Sequence, residues 1–276
     1  MGSGEFDFKS LLNAFKFGFT DKFGVSFADA ISWDTAPRNL ANLTHENLAK
    51  FGEFNLAFHV GDKFERVLKN RLKFANLLNL PLQNLIFMNQ IHSDKICVVD
   101  EKFLCEFHAK FAKFAKFDNA EFIKIFPECD AMVTNLRGVG LSVMVADCSP
   151  VLLFDEKNGA VGVAHAGRAG ICQKIVTKTA LKMSEIYGTK ICDLSVIVGA
   201  NIKGECYEVG DLDLGEFERF KKEDKFDMNL ALKSEFNELG ISKFAFSKFC
   251  THCENHLYSY RRDGVTGRFC GFAMIK

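Results

Sequence analysis

The chain predicts an α+β fold, mixed β-sheets flanked by helices, in one domain spanning residues 1–276. Short β-branched segments bounded by Gly, Pro or Asp read as strands. Longer segments repeat apolar residues every three or four positions and read as amphipathic helices. The order of the two kinds is irregular, without internal repeats, a βαβ alternation or a Gly/Ser/Pro linker, which favours α+β over a doubly wound sheet. At 276 residues the chain is long for a domain but still compatible with one.

Taken in order, residues 62–78 place Phe64, Val67, Leu68, Leu72, Leu77 and Leu78 at near-helical spacing with Lys and Arg between them, predicting a surface helix. Strands are predicted at 85–88 and 96–99. A second helix over 103–117 carries Phe103, Phe107, Phe111, Phe114 and Phe117 on one face. Those rings read as packing rather than nucleotide stacking, because the chain has 30 Phe overall and only 4 Pro, a compositional bias. Further strands are predicted at 139–146, 151–154, 160–164 and 195–198, and a helix over 171–187 that stops at Gly188.

Composition excludes several classes. With 48% hydrophobic and 25% charged residues there is material for a full core. Thirty-five basic residues cancel 35 acidic ones, removing the overall attraction expected of a general nucleic-acid binder. The apolar run 139–146 is too short to cross a bilayer. The sequence MGSGEFDFKS lacks an apolar signal core, so a cytoplasmic protein with no membrane partner is expected. The 10 cysteines are then reduced thiols, most of them core filler.

Three soft ligands stand out: His92 in NQIH, Cys148 in ADCSPVLLF and His165 in VAHAGRAGI. Two imidazoles and a thiolate leave a fourth tetrahedral position free, the catalytic pattern of zinc. Cys148 sits where an apolar strand ends. Asp147 and Cys148 would face opposite sides of a regular strand, so both serve one pocket only if the backbone turns, for which Pro150 is the expected cause. His165 opens a Gly-rich loop leading into a helix, a setting that admits an anion, and Arg168 adds a charge there. CTHCENH holds Cys250, His252, Cys253 and His256 but lacks the second half that structural zinc fingers carry. In SYRRDGVTGR, Arg261, Arg262, Arg268 and Asp263 form either an anion grip or a charged turn.

With these pieces assembled, the chain resembles the polyphenol-oxidase or laccase-domain family, also called YfiH-like. The motifs come in order over nearly its whole length: GFTDKFGVS, NLAFHVGD, VLKNRL, NQIHS, CDAMVTN, ADCSPVLL, VAHAGRAGI, GANIKGECYEVG and YSYRRDGVTGR. The resemblance maps the family's metal ligands onto His92, Cys148 and His165. It implies a purine nucleoside phosphorylase acting on adenosine, inosine and methylthioadenosine with phosphate, and adenosine deamination besides. Phenol oxidation and editing of peptidoglycan precursors are also ascribed to the family. Copper oxidation is disfavoured here, because 7 histidines without a single HxH pair fall short of a multicopper centre.

Two departures mark this chain. Where the family reads HAGWRG it reads HAGRAG, so Arg168 stands at the Trp position and Ala169 at the Arg position; either Arg168 replaces the lost guanidinium or substrate preference differs. Residues 96–128 are longer than usual, which predicts an extra helix near the site.

The leading expectation is a zinc-dependent phosphorylase: His92, Cys148 and His165 on the metal, Cys148, Asp147 and His165 in catalysis with Asp147 moving protons. Arg71, Arg262 and Arg168 are the candidates for phosphate or another anion, and Asn55 and Gln90 for other polar substrate contacts. Partners are then a small purine nucleoside and phosphate. The alternatives are a Cys148–His165 amidase without metal, and a non-enzymatic binding protein whose zinc is closed by a fourth ligand such as His59.

Overall fold

The computed structural model describes residues 11–27, 51–113 and 119–276. The N-terminal decapeptide, and Phe114 and Phe117 of the second predicted helix, lie outside them. In chain order the strands are β1 (Phe15–Thr20), β2 (Val25–Phe27), β3 (Leu85–Ile86), β4 (Ile96–Val98), β5 (Ala131–Thr134), β6 (Gly140–Val145), β7 (Ser149–Asp155), β8 (Ala160–Ala166), β9 (Ser195–Val198), β10 (Lys221–Lys222), β11 (Lys225–Phe226), β12 (Lys243–Phe246) and β13 (Phe269–Ile275). The α-helices are α1 (Leu11–Ala14), α2 (Phe64–Leu78), α3 (Glu101–Phe111), α4 (Asn119–Ile123), α5 (Arg168–Cys172), α6 (Ile175–Tyr187), α7 (Met228–Glu238) and α8 (Tyr260–Asp263).

Two large sheets result, and both are mixed, as the α+β expectation requires. One runs β2-β1-β13-β6-β3 and the other β12-β9-β7-β8-β5-β4. In the first, β3 joins β6 in parallel; in the second, β12/β9 and β4/β5 are parallel and the remaining pairs antiparallel. The two pack face to face: Phe15 and Phe17 of the first lie 5.3 and 4.7 Å from the Phe154 ring of the second. Period 2 sends alternate residues of β13 to opposite faces. Phe272 meets Phe74 of α2 outside the first sheet, while the backbone at Gly271 faces Pro150 and Leu152 of the second. On the far face of the second sheet, Val133, Val151 and Leu153 pack with Ile175, Val176 and Ala180 of α6 and Leu232 and Phe236 of α7. Helix covers each sheet's outer face, so β6, β7, β8 and β13 are buried throughout.

Several element boundaries differ from expectation. The helix predicted over 171–187 is two helices, because Lys174 is left-handed (φ 56°) between α5 and α6; Gly188 (φ 70°) ends α6 as expected. The strand predicted to end before His165 continues through Ala166, so His165 is a strand residue paired with Pro150. The segment 96–128 carries α3 and α4; Phe107 of α3 and Phe122 of α4 each pack on Phe126, and Phe122 also meets Phe58 and Phe64. None of the described residues between 96 and 128 lines the cavity described below. No helix among the described residues is long and apolar enough to cross a membrane.

Candidate metal centre

The corner between the two sheets forms the site. The chain leaves the first sheet at the end of β6, turns through Ala146, Asp147 and Cys148, and enters the second as β7. Asp147 makes that turn, with φ 93°, whereas Pro150 lies within β7. The turn was the condition for Asp147 and Cys148 to share a pocket, and both line one cavity of about 310 Å³.

His165 comes from β8, next to β7. His92 comes from the loop between β3 and β4 and is itself left-handed (φ 58°). The ligating atoms of His92, Cys148 and His165 lie within 4.8 Å of one another, a group that could hold a metal ion. The two rings meet edge to face at 4.9 Å. Gly167 shapes the same spot: a Cβ there would stand 2.6 Å from Cys148 Sγ, so the sulfur takes space that only glycine leaves.

Asp130, not singled out in the sequence, organises both histidines. Its Oδ1 lies 2.9 Å from His165 Nδ1, which places the imidazole proton on Nδ1 and presents Nε2 as the donor atom toward Cys148. The same carboxylate accepts the backbone N–H groups of Ile91, His92 and Ser93 and the Ser93 hydroxyl, fixing the loop that carries His92. Burial opposes its ionisation, but the bonds from His165 and Ser93 outweigh it and hold Asp130 at about 2. Cys148 falls to about 6 because the charge and hydrogen bonds of His165 and His92 outweigh its burial. His165 rises to about 9 against burial, through Cys148 and Asp130.

Asp147 edges onto the cavity; its Oδ1 accepts the Thr251 hydroxyl at 2.6 Å and its Oδ2 the Arg261 amide at 2.7 Å. His59, Tyr207, Tyr260, Arg261 and Arg268 complete the walls. Burial and the nearby charges of Arg268, Arg71 and His92 push His59 down to about 4. His59 shares the cavity but is not in the converging ligand group, which among the described residues has three members.

The substrate-contact candidates fare unevenly. Gln90 lines the cavity, but its amide braces the Met144 backbone at 2.7 and 2.9 Å. Arg168 reaches the Tyr207 hydroxyl, one ring back from the cavity. Three assignments need correction. Asn55 is fully buried, its side chain bonded to Ala57, Asp62 and the Arg268 amide. Arg71 is buried among Phe58, Phe87 and Phe126, with Nε on the Leu56 carbonyl. Arg262 donates to the carbonyls of Thr251, His252, Glu254 and Leu257 and to Asp263. None of the three lines the cavity. Among the described residues the guanidiniums that do are Arg261 and Arg268, whose sequence run drew attention without showing which of its arginines turns inward.

The chain is similar to several known proteins. A purine nucleoside phosphorylase of Corynebacterium glutamicum is 34% identical over 234 residues, covering 82% of this chain and 88% of its own. The purine nucleoside phosphorylase YlmD of Bacillus subtilis is 29% identical over 242 residues, 82% and 83% of the two chains. The crystal structure of the Bacillus licheniformis hypothetical protein YfiH shares the fold with a TM-score of 0.73 at 23% identity, covering 98% of this chain and 94% of that one. That of YlmD from Geobacillus stearothermophilus aligns with a TM-score of 0.71 at 26% identity, covering 82% and 86%. The model of the family described as multi-copper polyphenol oxidoreductase laccase matches residues 45–276, and the chain belongs to that laccase-domain, YfiH-like family.

Proposed function

We propose that this chain is a zinc-dependent purine nucleoside phosphorylase acting on adenosine, inosine and methylthioadenosine, with adenosine deamination as a side reaction. The observation that carries the reading is the His92–Cys148–His165 group set against an open cavity, in a chain whose relatives bear the phosphorylase name. The donor set fits zinc: one thiolate, two imidazoles, and an Asp130 bond that presents His165 Nε2. When bound, zinc supplies a Lewis acid at its open coordination position.

The chain's own residues divide the remaining work. Arg268 and Arg261 take the phosphate role expected of Arg71 and Arg262, since they are the guanidiniums on the cavity wall. Tyr207 and Tyr260 offer aromatic faces to a purine, and Arg168 steadies Tyr207. Asp147 is placed to accept and return a proton, with Thr251 and the Arg261 amide fixing its carboxylate. In phosphorolysis a phosphate oxygen attacks the ribose anomeric carbon, and the base leaves with the glycosidic electron pair and is protonated.

A second reading has its own observation. Cys148, His165 and Asp130 form a hydrogen-bonded chain, the nucleophile, base and orienter of a cysteine amidase. One experiment separates the two: chromatography of adenosine incubations, with and without phosphate, using zinc-loaded protein and its Cys148→Ala variant. The phosphorylase reading expects phosphate-dependent adenine release that disappears in the variant. Absence of turnover of adenosine, inosine and methylthioadenosine by the zinc-loaded protein would overturn it in favour of the amidase.

A further inference from the structure

We propose that Cys206, Cys250, His252 and Cys253 hold a second metal ion, a structural zinc in a closed set of three thiolates and one imidazole. This assignment is independent of the chemistry in the cavity beside His92, Cys148 and His165. The CTHC segment folds on itself, with the Cys253 and Glu254 amides both donating to the Cys250 carbonyl at 3.1 and 3.0 Å. That turn brings His252 and Cys253 together. Cys206, at the end of the short 3-10 helix Gly204–Cys206, supplies the second half that CTHCENH lacks in sequence. A bridge between Asn201 and Cys250, and the Lys203 amide donating to Cys250 Sγ at 3.4 Å, hold the two segments in register.

Distances distinguish this cluster from a cystine. The sulfurs of Cys206 and Cys253 are 3.6 Å apart. A disulfide requires about 2.05 Å, whereas two thiolates on tetrahedral zinc, each about 2.3 Å from the metal, stand roughly 3.8 Å apart. The ligating atoms of Cys206, His252 and Cys253 all lie within 4.8 Å of one another. Cys250, whose Sγ accepts the Lys203 amide, stands beside this converged trio and is the fourth donor the proposal adds to it. The donors are thus soft, contain no carboxylate, and number four, the composition of a closed zinc site. His256 stands apart, with its ring on Phe249 and its Nδ1 toward Glu254. Cys253 is exposed and the other three ligands half-buried, so the ion has a path in. Uptake releases a proton from each thiol not already ionised and transfers no electrons.

The placement gives the ion a task. Cys206 adjoins Tyr207 of the cavity wall, and Thr251, between Cys250 and His252, donates its hydroxyl to Asp147. A metal across the two segments clamps them together and so positions both groups.

The test is metal analysis of the full chain purified under reducing conditions, together with cobalt substitution. The proposal expects two zinc equivalents per chain in the wild type, one in Cys253→Ser and one in Cys148→Ala. Cobalt-loaded Cys148→Ala should show the intense sulfur-to-cobalt absorption of a multi-thiolate tetrahedral site. This variant leaves the second cluster whole, so the outcome is readable even if Cys253→Ser misfolds. Zinc below a tenth of an equivalent in Cys148→Ala with no such absorption, or a Cys206–Cys253 disulfide in reduced preparations, would overturn it.

Discussion

Asp130 does two jobs with one carboxylate, holding the His165 ring by Nδ1 and the His92 loop by three backbone amides. Asp130→Asn puts an N–H donor where one of those donors now points. Loss of such a support typically weakens metal binding 10–100-fold, so a chelator competition should show a zinc affinity lower by about that factor with the circular dichroism unchanged. An unaltered affinity would remove Asp130 from the positioning role. The thiol supplies a second prediction. Between about 6, where Cys148 ionises, and about 9, where His165 loses its proton, the metal-free pair is thiolate and imidazolium. Alkylation of Cys148 in chelated protein should therefore rise through pH 6 and then level off, where an ordinary thiol rises through about 8.5, and added zinc should suppress it. A midpoint near the ordinary value would contradict the pairing. The three candidate ligands stood out in sequence because their residue types carry the chemistry, and the structure brings them together. Asp130 was not, since its role depends on contacts 35 to 39 positions away in the chain. Arg71 and Arg262 misled for the converse reason: a charge in sequence says nothing about which way the guanidinium points.

Among the elements, the loop that carries CTHCENH depends on Arg262 as a staple. Its planar fork reaches the carbonyls of Thr251, His252, Glu254 and Leu257 together. Lysine has three donors on a single nitrogen and cannot span them. Arg262→Lys should lower the unfolding free energy by about 1–3 kcal/mol, the cost of leaving buried acceptors unpaired, measured by denaturant melts. A lower phosphate affinity with full stability would instead return Arg262 to the anion role. Helix α2 was read nearly to its ends, because one side carries the apolar stripe and the other the charges, whereas α3 ends at Phe111, short of the 117 expected, and α7 went unread. Strands β1, β5, β12 and β13 went unread. In β5 and β13 every residue is buried, so no polar alternation marks them. The break between α5 and α6 was equally hidden, because it rests on a left-handed lysine rather than a glycine or proline.

At the scale of the whole molecule, the site's position follows from how closely the two sheets approach. The Phe19 ring of β1 crosses from the first sheet onto Gly199, Gly271 and Pro150. A Cβ built on Gly199 would stand 2.3 Å from Cε1 of the half-buried Phe19 ring and 2.8 Å from Cγ of the buried Pro150. Gly199 also donates its amide to the Pro150 carbonyl at 2.9 Å, and Pro150 pairs with His165 two residues beyond Cys148. The inter-sheet contact thus runs directly into the candidate metal ligands. Gly199→Ala should cost about 1–3 kcal/mol, as overpacking of a filled core does, and should lower zinc affinity as well, although Gly199 touches no ligand. The double variant Gly199→Ala/Phe19→Leu relieves the clash on the far sheet, and should recover part of both losses if the two effects share one cause. Recovery of stability without zinc affinity would show that the corner bearing Asp147 and Cys148 is set by its own turn, independently of the spacing between the sheets.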